Sequence, residues 1–128
     1  MIYKIDKDTV IDNHGYRTLK DNNPLNYEAL PLLDISDIEI ENALKYVRRL
    51  SKIQKCSVCS YGLKHNAERY LRADEFKAKE WDAYISNGAL IVAMIKQGFK
   101  YKIYSHLEYP QKKDISINID FNVAKKSL

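Results

Sequence analysis

Regularly spaced apolar residues predict the first helix. Over residues 37 to 53 they recur at the three- and four-residue intervals of one helix face, with lysine and arginine on the other side. Ser36 and Glu39 form a capping-box pattern at the start, and Ile35 and Ile40 stand where a hydrophobic staple is found. The sequence therefore predicts an amphipathic helix that begins just after Ser36.

A second helix is predicted to open at Ser60, whose hydroxyl can cap the amides that follow it. Its apolar residues share one face as far as Leu71. The next stretch, residues 73 to 84, holds two aromatic residues among alternating charges. It is compatible with an extension of the second helix or with an ordered loop.

The third predicted helix is apolar around its whole circumference. Ser86 or Asn87 is its cap, residues 89 to 95 are all apolar, and Gly98 occupies the left-handed position at which helices stop. A helix that is apolar all round is buried. We therefore expect deep burial of this helix.

After the third helix, the spacing of apolar residues changes from that of a helix to the alternation of a strand, and this predicts two strands. Residues 99 to 104 form the first, and from 115 to 123 apolar and polar residues alternate as in a half-buried strand. A basic hairpin loop, residues 105 to 114, joins them. The expected fold is α+β, with three helices followed by a two-stranded β-hairpin. This is the order of a winged helix-turn-helix domain.

The beginning of the chain shows little sustained periodicity. A short strand is predicted at residues 2 to 5, turn-forming residues follow, and Pro24 and Pro31 keep this part from forming a long helix. Up to residue 43 the chain holds four basic against nine acidic residues. We expect an irregular, acidic N-terminal leader over 1–34 and a winged-helix-like domain over 35–128.

Size and composition limit the classes of protein to consider. A chain of 128 residues with 45% apolar and 30% charged residues has the size and composition of one globular domain. The longest apolar run, residues 89 to 95, is too short to cross a membrane, and no apolar signal segment opens the chain. A cytoplasmic location is expected, with both cysteines as reduced thiols.

The net charge of +4 conceals a basic middle. Residues 44 to 104 hold thirteen basic against five acidic residues, which is typical of a surface that meets a polyanion, although solvated helix faces would give the same count. We predict phosphate contacts from the second helix and the hairpin, and polar contacts from the third helix. The residues predicted to bind nucleic acid are Lys64, Arg69, Arg72, Ser86, Asn87, Lys96, Lys100, Lys102, Lys112 and Lys113.

Several short motifs between residues 58 and 128 resemble a family of small proteins carried by bacteriophages, plasmids and integrative elements. The family pattern is S-Y-x-L-K-H-x-x-E, then Y-[IV]-[ST]-N-G, G-[FY] and F-N-V-x-K-[KR]-S. The matching residues here are Ser60-Tyr61-Gly62-Leu63-Lys64-His65 with Glu68, Tyr84-Ile85-Ser86-Asn87-Gly88, Gly98-Phe99 and Phe121-Asn122-Val123-Ala124-Lys125-Lys126-Ser127. The leader lies outside the pattern, and the link between the second and third helices is longer here. The resemblance implies mobile-element ancestry and no particular activity.

No constellation of residues predicts catalysis or a cofactor. Cys56 and Cys59 form a lone C-x-x-C pair, and a structural zinc would need two further ligands, of which His65 is nearest in sequence. Two incidental thiols are favoured. Phosphate-binding loops and the common hydrolase motifs are absent from the sequence. We expect no enzymatic activity, no metal and no cofactor.

Two functions are consistent with these features. The first is a non-enzymatic mobile-element protein that binds DNA, duplex or single-stranded, through a basic winged-helix-like surface. The alternative is a protein-binding module whose partner is a host or element-encoded protein, acting as an inhibitor of a host defence system or as an accessory subunit of the element's replication machinery. A DNA-binding function is compatible with a homodimer.

Overall fold

The computed structural model describes residues 1–18, 31–73, 82–103 and 118–128, which form three helices and two three-stranded antiparallel sheets. The described protein is therefore an α+β fold. In chain order the elements are β1 (Tyr3–Asp6), β2 (Thr9–Asp12), β3 (Gly15–Thr18), α1 (Asp37–Val47), β4 (Val58–Cys59), α2 (Ser60–Arg72), α3 (Asn87–Lys96), β5 (Tyr101–Ile103), β6 (Ile119–Phe121) and a short 3-10 helix (Lys125–Ser127).

Helix α3 is the centre of the core. Its residues 89 to 94 have no exposed surface, and α1, α2, β2 and β3 all contact it. The Ser86 hydroxyl accepts a hydrogen bond from the amide of Ala89 at 3.0 Å, and Gly98 ends the helix with a φ of +82°. The predicted cap, stop and deep burial of this helix are confirmed.

The other two helices begin where the sequence predicts, at Asp37 and Ser60, but their caps differ from the prediction. Ser36 precedes α1 but its side chain makes no capping hydrogen bond. Glu39 instead accepts from the amide of Ser86 at 2.7 Å, so its carboxylate ties α1 to the start of α3. Cys59, rather than Ser60, is the cap residue of α2. The Ser60 hydroxyl accepts from the amide of Ile119 at 3.2 Å and so joins α2 to β6.

The predicted hairpin has a third strand. Strand β6 lies in the middle of the sheet, pairing with β5 on one side and with β4 on the other. The expectation of three helices followed by a two-stranded hairpin is therefore corrected, because β4 precedes α2. The first helix also ends at Val47, short of the predicted residue 53. The predicted loop 105 to 114 lies outside the described residues.

The predicted strand at residues 2 to 5 is confirmed by β1, but the irregular structure expected after it is wrong as far as residue 18, because two further strands follow. The three strands form an antiparallel sheet in the order β1-β2-β3, and β2 is buried along its whole length. The turn between β2 and β3 contacts the start of α3. The carbonyl of Asn13 accepts from the amide of Gly88 at 3.2 Å, and the carbonyl of His14 accepts from the Asn87 side chain at 3.1 Å.

Asp12 holds this turn in place from inside the core. Its carboxylate, which has no exposed surface, accepts from the Arg17 guanidinium at 2.8 Å and from the amide of Leu33 at 3.1 Å. It also accepts from the amide of His14 at 2.9 Å. Burial alone would raise the pKa of Asp12, but the hydrogen bonds from His14 and Leu33 and the charge of Arg17 hold it below its usual value. Asp12 thus stays ionised and joins the sheet to the segment before α1.

Gly88 is the position at which this contact can be tested. A Cβ at Gly88 would overlap the Asp12 carbonyl oxygen and lie 2.7 Å from its carbon. We expect Gly88→Ala to lower the free energy of unfolding by about 3 kcal/mol or more, because the sheet must move off the helix. The measurement is urea-induced unfolding.

The matched control is Gly62→Ala in α2, where an added Cβ would meet no atom within 4 Å. This variant should lose no stability and can gain up to about 1 kcal/mol from the better helix former. Equal unfolding free energies for the two variants would contradict the close approach of β2 and α3.

Candidate nucleic-acid interface

The residues predicted to bind nucleic acid divide into two groups. Lys64, Ser86 and Asn87 are buried. The exposed ones among the described residues are Arg69, Arg72, Lys96, Lys100 and Lys102. Lys112 and Lys113 lie outside the described residues.

Lys64 belongs to a buried polar cluster between α2 and the segment before α3. Its ammonium group donates to Glu68 Oε2 at 3.1 Å and to the carbonyl of Ile85 at 2.8 Å. The same Glu68 oxygen accepts from the amide of Ile85 at 3.0 Å, and His65 Nδ1 lies 3.1 Å from the other oxygen. Lys64 and His65 thus meet Glu68 within one turn of α2, and the cluster fastens residue 85 to this helix.

Asn122, another residue of the motifs, forms a similar buried cluster beside β6. Its side-chain oxygen accepts from the amide of Lys100 at 2.7 Å, and its amide group donates to the carbonyl of Ile53 at 2.8 Å. Together with the contacts of Ser60, Lys64, Glu68 and Ser86, this places motif residues in hydrogen bonds that hold the elements together. Their side chains are turned away from solvent.

The exposed surface of α2, unlike its buried side, carries no acidic group. The one acid of the helix is Glu68, which is buried and paired. No aspartate or glutamate occurs anywhere between residues 42 and 67, whereas this stretch contains six lysines and arginines. The outer side of α2 and the end of α1 therefore form a basic face. Its exposed charged residues are Lys45, Arg48, Arg49, Arg69 and Arg72.

A cleft of about 440 Å³ lies within the basic face, between α1 and α2. It is lined by Tyr46, Arg49, Asn66, Arg69, Tyr70 and Leu128. The Arg49 guanidinium lies over the Tyr70 ring, 4.6 Å from its centroid, and the Arg69 guanidinium donates to the Asn66 side-chain oxygen. Neither arginine forms an ion pair with an acidic side chain of the described residues.

The hydroxyl of Tyr46 is buried at the cleft. The residue is 2% exposed and its hydroxyl oxygen has no hydrogen-bond partner among the described residues. Burial raises the pKa of this hydroxyl, while the nearby Asn66 amide and the charges of Arg49 and Arg69 oppose the rise only in part. The cleft therefore presents two guanidinium groups and a neutral hydroxyl.

Sequence reasoning missed the cleft because it depends on the packing of two helices. Arg49 was expected on a solvated helix face, and the ten tyrosines gave no reason to prefer Tyr46. The signal that could have drawn attention to this region is the acid-free stretch between 42 and 67. Of the predicted residues that the structure describes, only Arg69 lines the cleft. Lys102 lies in the edge strand β5, and Lys100 lies just before that strand.

The cysteines lie beside the hairpin sheet, both partly exposed, and the Cys56 thiol donates to the carbonyl of Lys100 at 3.5 Å. In the parts of the chain that the structure describes, no three His, Cys, Asp or Glu side chains are grouped so that they could hold a metal ion. None of the described helices has the length and apolar character needed to cross a membrane.

Comparison of the chain with protein-family models, with curated proteins and with solved structures finds no match.

The structural role of Lys64 can be separated from a binding role by a double-mutant cycle. We expect Lys64→Leu or Glu68→Leu alone to lower the free energy of unfolding by about 3–5 kcal/mol, because each leaves a buried charge unpaired. The double variant should lose clearly less than the sum of the two, by about 0.5–3 kcal/mol.

The control is the exposed Arg72→Leu, which should change stability by no more than about 0.5 kcal/mol. If Lys64→Leu is as neutral as Arg72→Leu, Lys64 is a surface residue and the buried cluster does not exist in solution.

Proposed function

We propose that the protein is a non-enzymatic, cytoplasmic mobile-element protein that binds nucleic acid through the basic face of α1 and α2. The observation that carries this proposal is the basic face itself, on which neither Arg49 nor Arg69 pairs with a carboxylate of the described residues. Unpaired arginines are suited to phosphate oxygens, which they contact with two parallel hydrogen bonds. The described fold holds no other exposed helix face of this kind.

A winged-helix-like arrangement is part of the proposal. Its support is that three helices precede the paired strands β5 and β6, while β4 and the N-terminal sheet are additional strands that lie earlier in the chain. The third helix of such a domain enters the major groove of DNA. Here α3 is enclosed by α1, α2 and the N-terminal sheet, so its side chains from Asn87 to Met94 are buried and not available for reading bases. The contact with nucleic acid is therefore assigned to the phosphate backbone.

Contact with the phosphate backbone of nucleic acid gives an affinity that depends on salt concentration. Each phosphate neutralised by lysine or arginine releases condensed counterions, so affinity falls steeply as salt concentration rises. Such contacts position a protein on the strand but carry little sequence information. We expect binding of both duplex and single-stranded oligonucleotides with weak dependence on base sequence.

A second function, binding of a protein partner, is favoured by a different observation. Leu33 and Ile38 are large apolar residues that are 52% and 73% exposed, and Asp34 and Asp37 lie between them in sequence. Exposed apolar residues beside acidic ones are typical of protein contacts more than of nucleic-acid contacts. This surface is suited to contact with a host or element-encoded protein. A protein-binding function does not account for the basic face.

The test is fluorescence anisotropy with labelled duplex and single-stranded oligonucleotides over a range of salt concentrations. We expect Arg48→Glu/Arg72→Glu to weaken binding at least about tenfold and to reduce the slope of log affinity against log salt by about 2. Both residues are exposed and lie outside the cleft, so their replacement should preserve the fold.

The matched control is Lys4→Glu/Lys7→Glu, which makes the same change in net charge on exposed residues of the N-terminal sheet and its first turn. It should weaken binding much less. An equal loss in both double variants would indicate a general effect of charge. Absence of binding at low salt would reject nucleic acid as the partner and favour the protein-binding function.

A further inference from the structure

We propose that the cleft between α1 and α2 is a binding site for a terminal phosphate of a nucleotide or nucleic-acid strand. This inference rests on the proposed function only in naming nucleic acid as the source of the phosphate. It assigns a separate task to Arg49, Arg69 and Tyr46, beyond the general attraction of the basic face.

The groups that line the cleft select for an anion. The Arg49 guanidinium is held over the Tyr70 ring, 4.6 Å from its centroid. Arg69 is held by its hydrogen bond to Asn66. Two positioned guanidinium groups, neither of them paired with a carboxylate of the described residues, provide more than enough donors for one phosphate group.

The Tyr46 hydroxyl gives the second, independent indication of a ligand. A buried polar group without a partner is unfavourable, and native structures contain few of them. This hydroxyl lies at the wall of the cleft in a residue that is 2% exposed. A phosphate oxygen bound between the two arginines would accept its proton in a hydrogen bond and remove the cost of burying it.

The charge and size of the cleft narrow the class of ligand. Two arginines balance the dianion of a phosphate monoester, whereas a diester within a strand carries a single negative charge. The volume of about 440 Å³ lies in the range of about 300–1,000 Å³ that holds small organic ligands, so there is room for a sugar beside the phosphate. A phosphorylated strand end fits both properties.

The experiment compares short thymidine oligonucleotides that differ only in a 5′-phosphate or a 5′-hydroxyl, titrated into the full chain by isothermal titration calorimetry. A length of about four nucleotides keeps the contribution of the surrounding basic face small. We expect the phosphorylated form to bind at least about tenfold more tightly, and inorganic phosphate to compete with it.

Four variants separate the cleft from its surroundings. Arg49→Gln and Arg69→Gln should each weaken binding of the phosphorylated oligonucleotide about tenfold or more. Tyr46→Phe should weaken it a few-fold while leaving thermal stability unchanged or slightly raised, because it removes only the unpartnered hydroxyl. Lys4→Gln, which removes one exposed positive charge from the N-terminal sheet and lies outside both the basic face and the cleft, should change it by less than about twofold.

The outcomes distinguish this inference from the proposed function. Equal binding of phosphorylated and hydroxyl ends, or equal competition by an oligo-glutamate peptide, would overturn the phosphate site even if longer oligonucleotides bind through the basic face. Binding of inorganic phosphate without binding of any oligonucleotide would support the phosphate site and reject nucleic acid as its source. Full binding by Tyr46→Phe and Arg49→Gln would also overturn it.

Discussion

The turn between β2 and β3 lies so close to the start of α3 that there is no space for a side chain between them. Gly88 is the residue that permits this approach, and the carbonyls of Asn13 and His14 then accept hydrogen bonds from the first residues of the helix. Asp12, ionised inside the core, holds the turn in shape. A sheet of four-residue strands has little stability of its own, so its docking on α3 is what allows it to form.

Docking of the sheet determines which surfaces remain for a partner. Helix α3 is covered, and the polar motif residues around it are used in hydrogen bonds between elements, such as Lys64 with the carbonyl of Ile85 and Ser60 with the amide of Ile119. The basic face of α1 and α2 is left in solvent. The acid-free stretch between residues 42 and 67 contains the end of α1 and the first half of α2, and neither Arg49 nor Arg69 forms an ion pair with an acidic side chain of the described residues.

Features set by neighbouring residues could be predicted from the sequence, and features set by distant ones could not. The Ser86 cap, the Gly98 stop and the burial of α3 follow from local pattern and are observed. The capping box failed because Glu39 finds a better partner in the amide of Ser86, 47 residues away. Strands β2 and β3 were missed because strands this short give almost no periodic signal, and the cleft because it exists only once α1 and α2 pack together.

Backbone amide chemical shifts, measured by NMR as a short oligonucleotide is added, would show where the protein meets its ligand. The proposed function predicts changes at the end of α1, along the outer side of α2 and around the cleft, while the amides of Asn87–Lys96 and of the N-terminal sheet stay unchanged. Large changes throughout α3, together with loss of the signals of the docked β2–β3 turn, would contradict this. They would mean that the sheet leaves the third helix to expose it to nucleic acid.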